Sequence, residues 1–448
     1  NISSSIANNA VTPDKILSTG QTDEYCITYE ASGDTWEWKD CTPSTLFTDS
    51  GTITYLTTQT DTLAIGTSTN VSASTAIAVY NRDIEVLVGD PIGVGSVSPA
   101  SMSNPRGIKV VGDYAYVTAL VSDAFHIIDI SDPTSPVAIS SIIDGASGAT
   151  VLDGAYGVDV VGNYAYVAAY DNNGVQIIDI SDPTNPRGVG SIADGANGAT
   201  ELGGAEDIKV VGNYAYVASA LDDGFQILDI SNPTNPVGLG ELDDASAGVF
   251  LNEARSVEVQ GNYAYVITST DNSLQIIDIS DPTNPIAMDS IVDGGAIFLS
   301  VAYELSLSGK FAYVASYGDN SVQIFDISDP NNIVGLGSIV DGSNGADRLS
   351  GADGIEVSGN YAYVASWNES AVQILDVSDP NNIVAIGSIT DGQKGASRLS
   401  NARRIAVSGN GYMYVTGSSD GGVQVLSLPN FISPTANIGS LASNNIQT

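Results

Sequence analysis

The residues best placed to do chemistry in this chain are carboxylates that recur at one position. Five aspartates, each followed by glycine, lie between successive sequence repeats: Asp144, Asp194, Asp293, Asp341 and Asp391. If the segments that carry them converge on one end of the fold, their oxygen atoms could form a ring that binds Ca²⁺, which prefers oxygen ligands. Asp-Gly is also a common turn sequence, so a purely structural role explains the same residues.

Catalytic centres built on histidine or cysteine are disfavoured. The single histidine, His126, occupies a position that holds glutamine in six other repeats. These glutamines are Gln176, Gln226, Gln275, Gln323, Gln373 and Gln424. Zinc would need a cluster of histidines or cysteines, and the sequence has none. We therefore predict a protein that is not an enzyme, with no catalytic residues and no cofactor other than calcium; a carboxylate-based hydrolase or lyase is the third alternative for function.

Two cysteines belong to a hairpin near the N-terminus. Cys26 and Cys41 lie in alternating polar and apolar runs on either side of Ala31-Ser-Gly-Asp34. If Tyr29 lies opposite Trp38, Cys26 falls opposite Cys41 and within reach of a disulfide. A disulfide suits an exported protein, whereas two reduced cysteines would suit the cytosol. We predict the disulfide and an extracellular or cell-surface location.

The elements that must position these residues form a long repeat. Each copy contains a short apolar run, a Tyr-Ala-Tyr-Val block, a Val-Gln-Ile-Ile-Asp-Ile block and Ser-Asp-Pro-Thr-Asn-Pro, and successive Tyr-Ala-Tyr blocks begin 48 to 51 residues apart. Residues 155–194 predict four strands separated by turns. Such a sheet is apolar on both faces and needs neighbours on both sides, as a propeller blade does. We predict an all-β fold, a seven-bladed β-propeller of four-stranded antiparallel blades.

The repeated aromatic and acidic residues of the blades have structural explanations. Tyr164 and Tyr166 point to one face of their strand, and Ala165 and Val167 to the other. Large side chains of one blade can therefore pack on small side chains of the next. Aspartates recur at the ends of the third strands, where they are predicted to support turns through side-chain hydrogen bonds. They are Asp129, Asp179, Asp229, Asp278, Asp326 and Asp376.

The rest of the chain divides into shorter regions. Residues 84–97 match the third and fourth strands of a repeat, so they either close the propeller ring or belong to the N-terminal domain. We predict an N-terminal assembly segment at 1–17, a smaller β-rich fibre-like domain at 18–98, the propeller at 99–442 and a tail at 443–448. Because the chain begins with Asn1 rather than methionine, this residue looks like a processed end or a fragment boundary.

The signature Asp-Ile-Ser-Asp-Pro-Thr-Asn-Pro, which follows the Val-Gln-Ile-Ile strand, resembles the LVIVD-repeat family of surface β-propellers. The resemblance implies a propeller on an exported or surface protein and supplies no catalytic residues. The N-terminal region is similar to modules of phage tail fibres and bacterial surface fibres. The residues that carry this second resemblance are 6–16, 20–38 and 53–66.

The charge balance excludes two classes of partner. The chain has 14 Lys and Arg residues against 52 Asp and Glu residues, a net charge of -38 at pH 7. Such a surface repels nucleic-acid phosphates and anionic membranes. No apolar stretch approaches the ~18 residues that a membrane-spanning helix needs. We predict no nucleic-acid partner and no membrane span.

The two ends of the chain share a polar background with sparse aliphatic residues. These are Ile2, Ile6 and Val11 at the head and Ile438, Leu441 and Ile446 at the tail. Neither end can bury its aliphatic residues alone, so each could engage a neighbouring subunit. A head-to-tail contact that does not close into a ring produces a filament. Two disordered ends are the alternative explanation.

Two functions follow from these features. The first is an extracellular structural or display protein, a self-assembling surface fibre or filament subunit that carries the propeller. The alternative is a receptor- or glycan-binding adhesin that uses one propeller face. In that case Tyr170, Tyr317 and Trp367, which follow second strands, could stack on sugars; as rim aromatics they would have no such role.

Overall fold

The structure is a computed structural model that describes residues 25–30, 35–40 and 90–428. Contacts between Cα atoms divide the chain into two units, Asn1–Ile84 and Glu85–Thr448. Among the described residues no helix could cross a membrane.

The first unit contains the predicted hairpin, in a different register. Strands β1 (Tyr25–Glu30) and β2 (Thr35–Asp40) pair in antiparallel fashion, and Tyr29 pairs with Trp36. The predicted pairing of Tyr29 with Trp38 is therefore wrong by two residues. Glu30 pairs with Thr35, so four residues connect the two strands, a length that hairpins commonly have.

This register also changes the expected neighbour of Cys26. Its backbone partner is Lys39. Cys41 lies outside the described residues, so the disulfide stays a prediction.

The second unit contains seven antiparallel sheets of four strands each, which confirms the predicted propeller. In chain order the strands are β3 (Ile92–Val97), β4 (Pro105–Val111), β5 (Tyr114–Ala119), β6 (Ala124–Asp129), β7 (Val137–Ile143), β8 (Ala155–Val161), β9 (Tyr164–Ala169), β10 (Gly174–Asp179), β11 (Arg187–Ala193), β12 (Ala205–Val211), β13 (Tyr214–Ser219), β14 (Gly224–Asp229), β15 (Val237–Asp243), β16 (Ala254–Gln260), β17 (Tyr263–Thr268), β18 (Ser273–Asp278), β19 (Ile286–Val292), β20 (Ala302–Ser308), β21 (Phe311–Ser316), β22 (Ser321–Asp326), β23 (Val334–Val340), β24 (Ala352–Ser358), β25 (Tyr361–Ser366), β26 (Ala371–Asp376), β27 (Val384–Thr390), β28 (Ala402–Val407), β29 (Tyr412–Gly417) and β30 (Gly422–Ser427).

The ring is closed by a strand from the beginning of the unit. The seventh sheet has the order β28-β29-β30-β3, with Ile92 opposite Ser427 and Val97 opposite Val423. The early partial copy of the repeat therefore supplies the outer strand of the last blade, one of the two roles that the sequence left open. This strand lies in the propeller and not in the predicted domain at 18–98.

Large residues of one blade pack on small residues of the next, as predicted. Tyr166 of the second blade shares a buried cluster with Ala215 of the third. Ala165, on the other face of the same strand, packs in a cluster with Tyr116 of the first blade. Each core thus lies between two blades, so no blade can bury its apolar faces without both neighbours.

The third-strand aspartates support turns, as the sequence predicted. Asp179 Oδ1 accepts a hydrogen bond of 2.9 Å from the amide of Ser181, two residues along the chain. The equivalent aspartates make the same bond: Asp129, Asp229, Asp278, Asp326 and Asp376. These bonds fix the start of the connection to the fourth strand.

The first strands of the blades form the inner ring of the propeller, where each contacts the first strand of the next blade. They are β4, β8, β12, β16, β20, β24 and β28. Because the strands of a blade alternate in direction, the connections between blades and the hairpins between second and third strands lie at one end. We call this end, which includes Asp144 and Tyr170, the upper face.

Candidate functional site

The candidate site lies on the axis of the propeller at its upper face. It begins with the second residue of each first strand, a position where the seven blades differ. These residues are Arg106, Tyr156, Glu206, Arg255, Tyr303, Asp353 and Arg403. All of them except Asp353, together with Leu120 and Tyr170, line a cavity of about 240 Å³ that we call the axial cavity.

The axis carries a large share of the few cationic residues of the chain. Six of the 14 Lys and Arg residues lie on first strands: Arg106, Lys109, Lys209, Arg255, Arg403 and Arg404. The same strands carry seven Asp and Glu residues, so they are close to neutral in a protein of net charge -38. The lining of the axial cavity has three guanidinium groups, of which Arg255 and Arg403 form ion pairs, so Arg106 is the cation that remains for an anionic group.

Glu206 is the carboxylate of the lining. It is 2% exposed and forms an ion pair with Arg255, which also pairs with Glu253. The second carboxylate oxygen of Glu206, Oε2, is buried without a hydrogen-bond partner. Burial raises the pKa of Glu206 to about 7, although the positive charges of Arg255 and Arg404 oppose this rise. An unpaired buried oxygen is costly unless a ligand donates a hydrogen bond to it.

Arg403 and Arg404 share one carboxylate, that of Asp353. Asp353 is 1% exposed and accepts Nη1 of Arg403 at 3.1 Å through Oδ2 and Nη1 of Arg404 at 2.9 Å through Oδ1. Arg404 Nε also lies 3.3 Å from Glu304 Oε1. Burial raises the pKa of Glu304 to about 8, against the effect of Arg404. These ion pairs fix the two arginines in place.

Arg106 differs from Arg255 and Arg403, the other arginines of the cavity lining, because its guanidinium has no carboxylate partner. Its Cζ lies 5.0 Å from the ring centroid of Tyr156, its Nε is buried without a hydrogen bond, and no described carboxylate forms an ion pair with it. Burial lowers the pKa of Arg106; the charges of Arg403 and Arg404 add to this decrease, whereas Tyr156 and Asp353 oppose it. A half-buried cation of this kind is stabilised when an anion binds.

The three aromatic residues singled out from the sequence gather around this cavity. Tyr170 lines it. Tyr317 packs edge-to-face on the lining residue Tyr303, with ring centroids 5.4 Å apart. Trp367 lies under Arg403, whose Cζ is 4.0 Å from the ring centroid. Their role in ligand binding stays a prediction, for which this placement provides a site.

The Asp-Gly carboxylates occupy the connections between blades on the upper face. Each accepts a hydrogen bond from a leucine amide in its own connection, as Asp144 does from Leu152 at 2.9 Å. The others are Asp194 with Leu202, Asp293 with Leu299, Asp341 with Leu349 and Asp391 with Leu399. Within the described ranges no three carboxylates, histidines or cysteines are grouped closely enough to hold a metal ion. The calcium site stays a prediction without a cluster to support it.

The predicted assembly residues cannot be placed. Ile2, Ile6, Val11, Ile438, Leu441 and Ile446 all lie outside the described residues.

The arginines and acids of the axial cavity were not predicted from the sequence, because they do not recur from repeat to repeat. The signal in the sequence that could have identified them is variation between repeats rather than recurrence. When the repeats are aligned, the position after the small residue that begins each first strand changes from blade to blade between arginine, tyrosine, glutamate and aspartate. A residue type that differs from blade to blade, between neighbours that stay the same, is not required for the packing that all blades share.

A larger cavity lies away from the axis and is a weaker candidate. It has a volume of about 560 Å³ and is lined by residues of the fourth and fifth blades such as Tyr263 and Lys310. Its cation is neutralised, since Lys310 Nζ lies 2.7 Å from Asp326 Oδ2. No unpaired buried charge among the described residues points to a ligand there.

Comparison with protein families identifies the repeat. A family model described as "LVIVD repeat" matches residues 104–144, 154–194, 202–244, 252–293, 301–341 and 351–391. Together these matches cover more than half of the 448 residues. No curated protein is similar enough in sequence to count as a relative.

Solved structures share the fold at low sequence identity. A structure of hydrazine synthase from Kuenenia stuttgartiensis has a TM-score of 0.55 at 16% identity, covering 74% of this chain and 97% of that chain. A putative 6-phosphogluconolactonase from Bacteroides uniformis has a TM-score of 0.55 at 14% identity, covering 77% and 94%. A periplasmic gluconolactonase from Pseudomonas aeruginosa has a TM-score of 0.52 at 13% identity, covering 67% and 96%. These similarities show the propeller fold alone.

Proposed function

The chain belongs to the LVIVD-repeat family, and on that premise we propose that it is an extracellular recognition protein of the adhesin type. Its propeller binds a glycan or a glycosylated receptor at the upper face, with the axial cavity as the binding site. The observation that carries the proposal is the gathering of aromatic rings and an unpaired guanidinium around one small cavity. Concave sites with a few convergent polar groups are typical of ligand binding.

A structural origin accounts less well for this cavity. Packing between blades explains the residues that every repeat shares, such as the buried second tyrosine of each Tyr-Ala-Tyr block. It does not explain a buried oxygen of Glu206 and a guanidinium of Arg106 that lack partners. Groups left in this condition at the open end of an otherwise close-packed fold support a role in binding.

The test is retention of the intact protein on an array of immobilised glycans. We expect specific retention that falls at least tenfold in Tyr170→Ala, because this ring lines the cavity. Tyr170→Phe is the matched control, since it keeps the ring face that stacks on a sugar. Retention that is unchanged in Tyr170→Ala, or no retention on any glycan, would contradict the proposal.

Catalysis is the competing proposal at the same site. A carboxyl with a pKa of about 7, as burial gives Glu206, lies in the range of a general acid. The recognition proposal expects a bound glycan to be released unchanged. Product formation that is lost in Glu206→Gln would replace recognition with a hydrolase or lyase activity.

Self-assembly into a surface filament remains a separate proposal that rests on the sequence of the two chain ends. Electron microscopy of the native protein should show long fibres, and deletion of residues 1–17 or 437–448 should abolish them. Discrete monomers or closed oligomers would exclude the filament. Either result is compatible with recognition at the upper face, because a fibre subunit can display a binding site.

A further inference from the structure

We infer that the axial cavity binds one acidic sugar of the uronic-acid type, at the end of an otherwise uncharged glycan. The inference rests on the recognition function proposed above and names its ligand class. It follows from the buried atoms of the cavity lining that have no hydrogen-bond partner, which are Arg106 Nε, Glu206 Oε2 and Arg403 Nε, from the cavity's size and from the charge of the surface that surrounds it.

Arg106 supplies the contact for the acid group. Its guanidinium is the one in the cavity lining that has no carboxylate partner, since Arg255 is paired with Glu206 and Arg403 with Asp353. A guanidinium presents paired N–H donors that match the two oxygens of a carboxylate. A carboxylate bound there would neutralise a half-buried charge, and would also relieve the repulsion between Arg106 and Arg403.

Glu206 supplies a contact of the opposite kind. Its Oε2 is a buried acceptor without a donor. A second carboxylate would be repelled at this point, whereas a hydroxyl group can donate a hydrogen bond to it. The ligand therefore carries an oxyanion and a hydroxyl group on one compact framework, which is the chemistry of a sugar acid.

The size and aromatic character of the site fit a single sugar ring. A volume of about 240 Å³ lies below the ~300–1,000 Å³ of pockets that hold drug-sized ligands. Tyr170, whose ring centroid lies 6.3 Å from that of the buried Tyr156, provides a flat face against which a sugar ring can pack. The cavity thus accepts a terminal residue rather than a length of chain.

The surrounding surface restricts the ligand to few charges. Carboxylates crowd the connections and hairpins of the upper face: burial together with Asp222 and Asp243 raises the pKa of Glu201 to about 7. The whole chain carries a net charge of -38. A polyanion such as a polyuronate would meet this rim along its length and be repelled. A single acid group at the tip of a neutral glycan reaches the arginine with little repulsion.

Two sugars that differ in one group provide the test. Titration of the intact protein with methyl glucuronoside and methyl glucoside, followed by calorimetry, compares a carboxylate with a hydroxymethyl group on the same ring. Glycans that end in either sugar extend the comparison to the array. We expect at least tenfold tighter binding of the acidic sugar in both formats.

The variants separate the inference from the function on which it rests. Arg106→Gln should reduce the affinity for the acidic sugar to that for the neutral sugar. Arg106→Lys should keep part of the preference for the acidic sugar because it retains the positive charge. Lys310→Gln removes an exposed cation outside the axial cavity. It should leave the affinities for both sugars unchanged. Thermal unfolding of each variant checks that the propeller is intact.

Four results would overturn the inference. Equal or tighter binding of neutral glycans, lost in Tyr170→Ala, would leave recognition standing and remove the acidic ligand. A preference for acidic sugars that persists in Arg106→Gln would place the acid group elsewhere. Binding of peptides with a free carboxyl terminus, without any glycan, would assign the site to a protein partner. If no probe binds, the proposed function fails together with the inference.

Discussion

In five of the seven blades a buried glutamine ties the connection between blades to the outer strand. In the sixth blade the Oε1 atom of Gln373 has no partner, and in the first blade a histidine replaces the glutamine. In the second blade, Gln176 Oε1 accepts the amide hydrogens of Thr150 and Val151 at 2.8 and 3.1 Å, and its Nε2 donates to the Gly190 carbonyl at 2.8 Å. His126 takes this place in the first blade, where it is 1% exposed and its Nε2 has no partner. Imidazole cannot reproduce three such hydrogen bonds.

His126 should make the propeller sensitive to acid. Burial lowers the pKa of His126 from 6.5 to about 4. A base whose pKa is depressed in the folded state gives a stability contribution that is present above pH 6.5 and is lost as the pH falls toward 4. The shift corresponds to at most about 3 kcal/mol in the free energy of unfolding. His126→Gln should remove this loss, as measured by urea unfolding at about pH 7.5 and about pH 4.5.

The reverse substitution provides the control. Gln176→His should introduce the same acid sensitivity into the second blade, where the wild-type residue does not titrate. If His126→Gln and the wild type lose equal stability on acidification, the histidine is not the cause, and protonation of carboxylates elsewhere accounts for the pH dependence.

A single aspartate can also distinguish a turn from a calcium site. Asp341 Oδ1 accepts the amide hydrogen of Leu349 at 3.0 Å. Asp341→Ala should cost about 1–2 kcal/mol, because the amide loses its partner, whereas Asp341→Asn keeps an acceptor and should be nearly neutral. Thermal unfolding with Ca²⁺ and with a chelator measures both. A melting temperature that rises with Ca²⁺ in the wild type, and not in Asp341→Asn, would establish the calcium site instead.

At the scale of the strand, sequence patterns predict most of the fold because the same constraints apply in every blade. In the second blade, Tyr164–Ala169 and Gly174–Asp179 lie where alternation and turn residues placed them. The failures concern pairing partners, which local patterns do not specify. The register of β1 with β2 depends on the length of one turn, and the partner of β3 lies more than 300 residues away.

The closing strand should stabilise the propeller far more than its six residues suggest. Without β3, the seventh blade has three strands, and Val94 and Val97 no longer cover the core between the last and first blades. A chain that begins at residue 99 should lose at least about 3 kcal/mol, comparable to a large deletion in a core. Urea unfolding followed by circular dichroism measures the loss.

The matched control is a chain that begins at residue 85, where the two units divide. It retains β3, so we expect its propeller to unfold at the same urea concentration as in the full chain. Equal stability of both truncated chains would mean that another segment replaces β3 in the last blade.

At the scale of the whole molecule, the sequence predicts the frame of the propeller better than its site. The frame comes from residues that recur, such as Tyr166 and its equivalents, because every interface between blades has the same geometry. The axial cavity comes from residues that do not recur, and their neighbours lie on different blades. Glu206 and Arg255 belong to successive first strands, and Arg106 lies on a third. Only ring closure brings such residues together.

The net charge of the molecule should make its stability depend on salt. At pH 7 the carboxylates that remain unpaired repel one another across the surface. The Debye length falls from ~30 Å at ~0.01 M ionic strength to ~3 Å at ~1 M, so added salt removes this repulsion. The ion pairs of Asp353 with Arg403 and Arg404 are buried, so added salt weakens their attraction less. We therefore expect the melting temperature at about pH 7.5 to rise by several degrees with NaCl.

The effect should shrink as the pH approaches the isoelectric point of about 4.1, because the net charge then vanishes. Sodium sulfate at the same ionic strength separates screening from the general stabilisation that this salt gives by exclusion from the surface. A melting temperature that falls with NaCl at about pH 7.5 would contradict the prediction. It would mean that attraction between the cations of the first strands and the surrounding carboxylates outweighs the repulsion over the rest of the molecule.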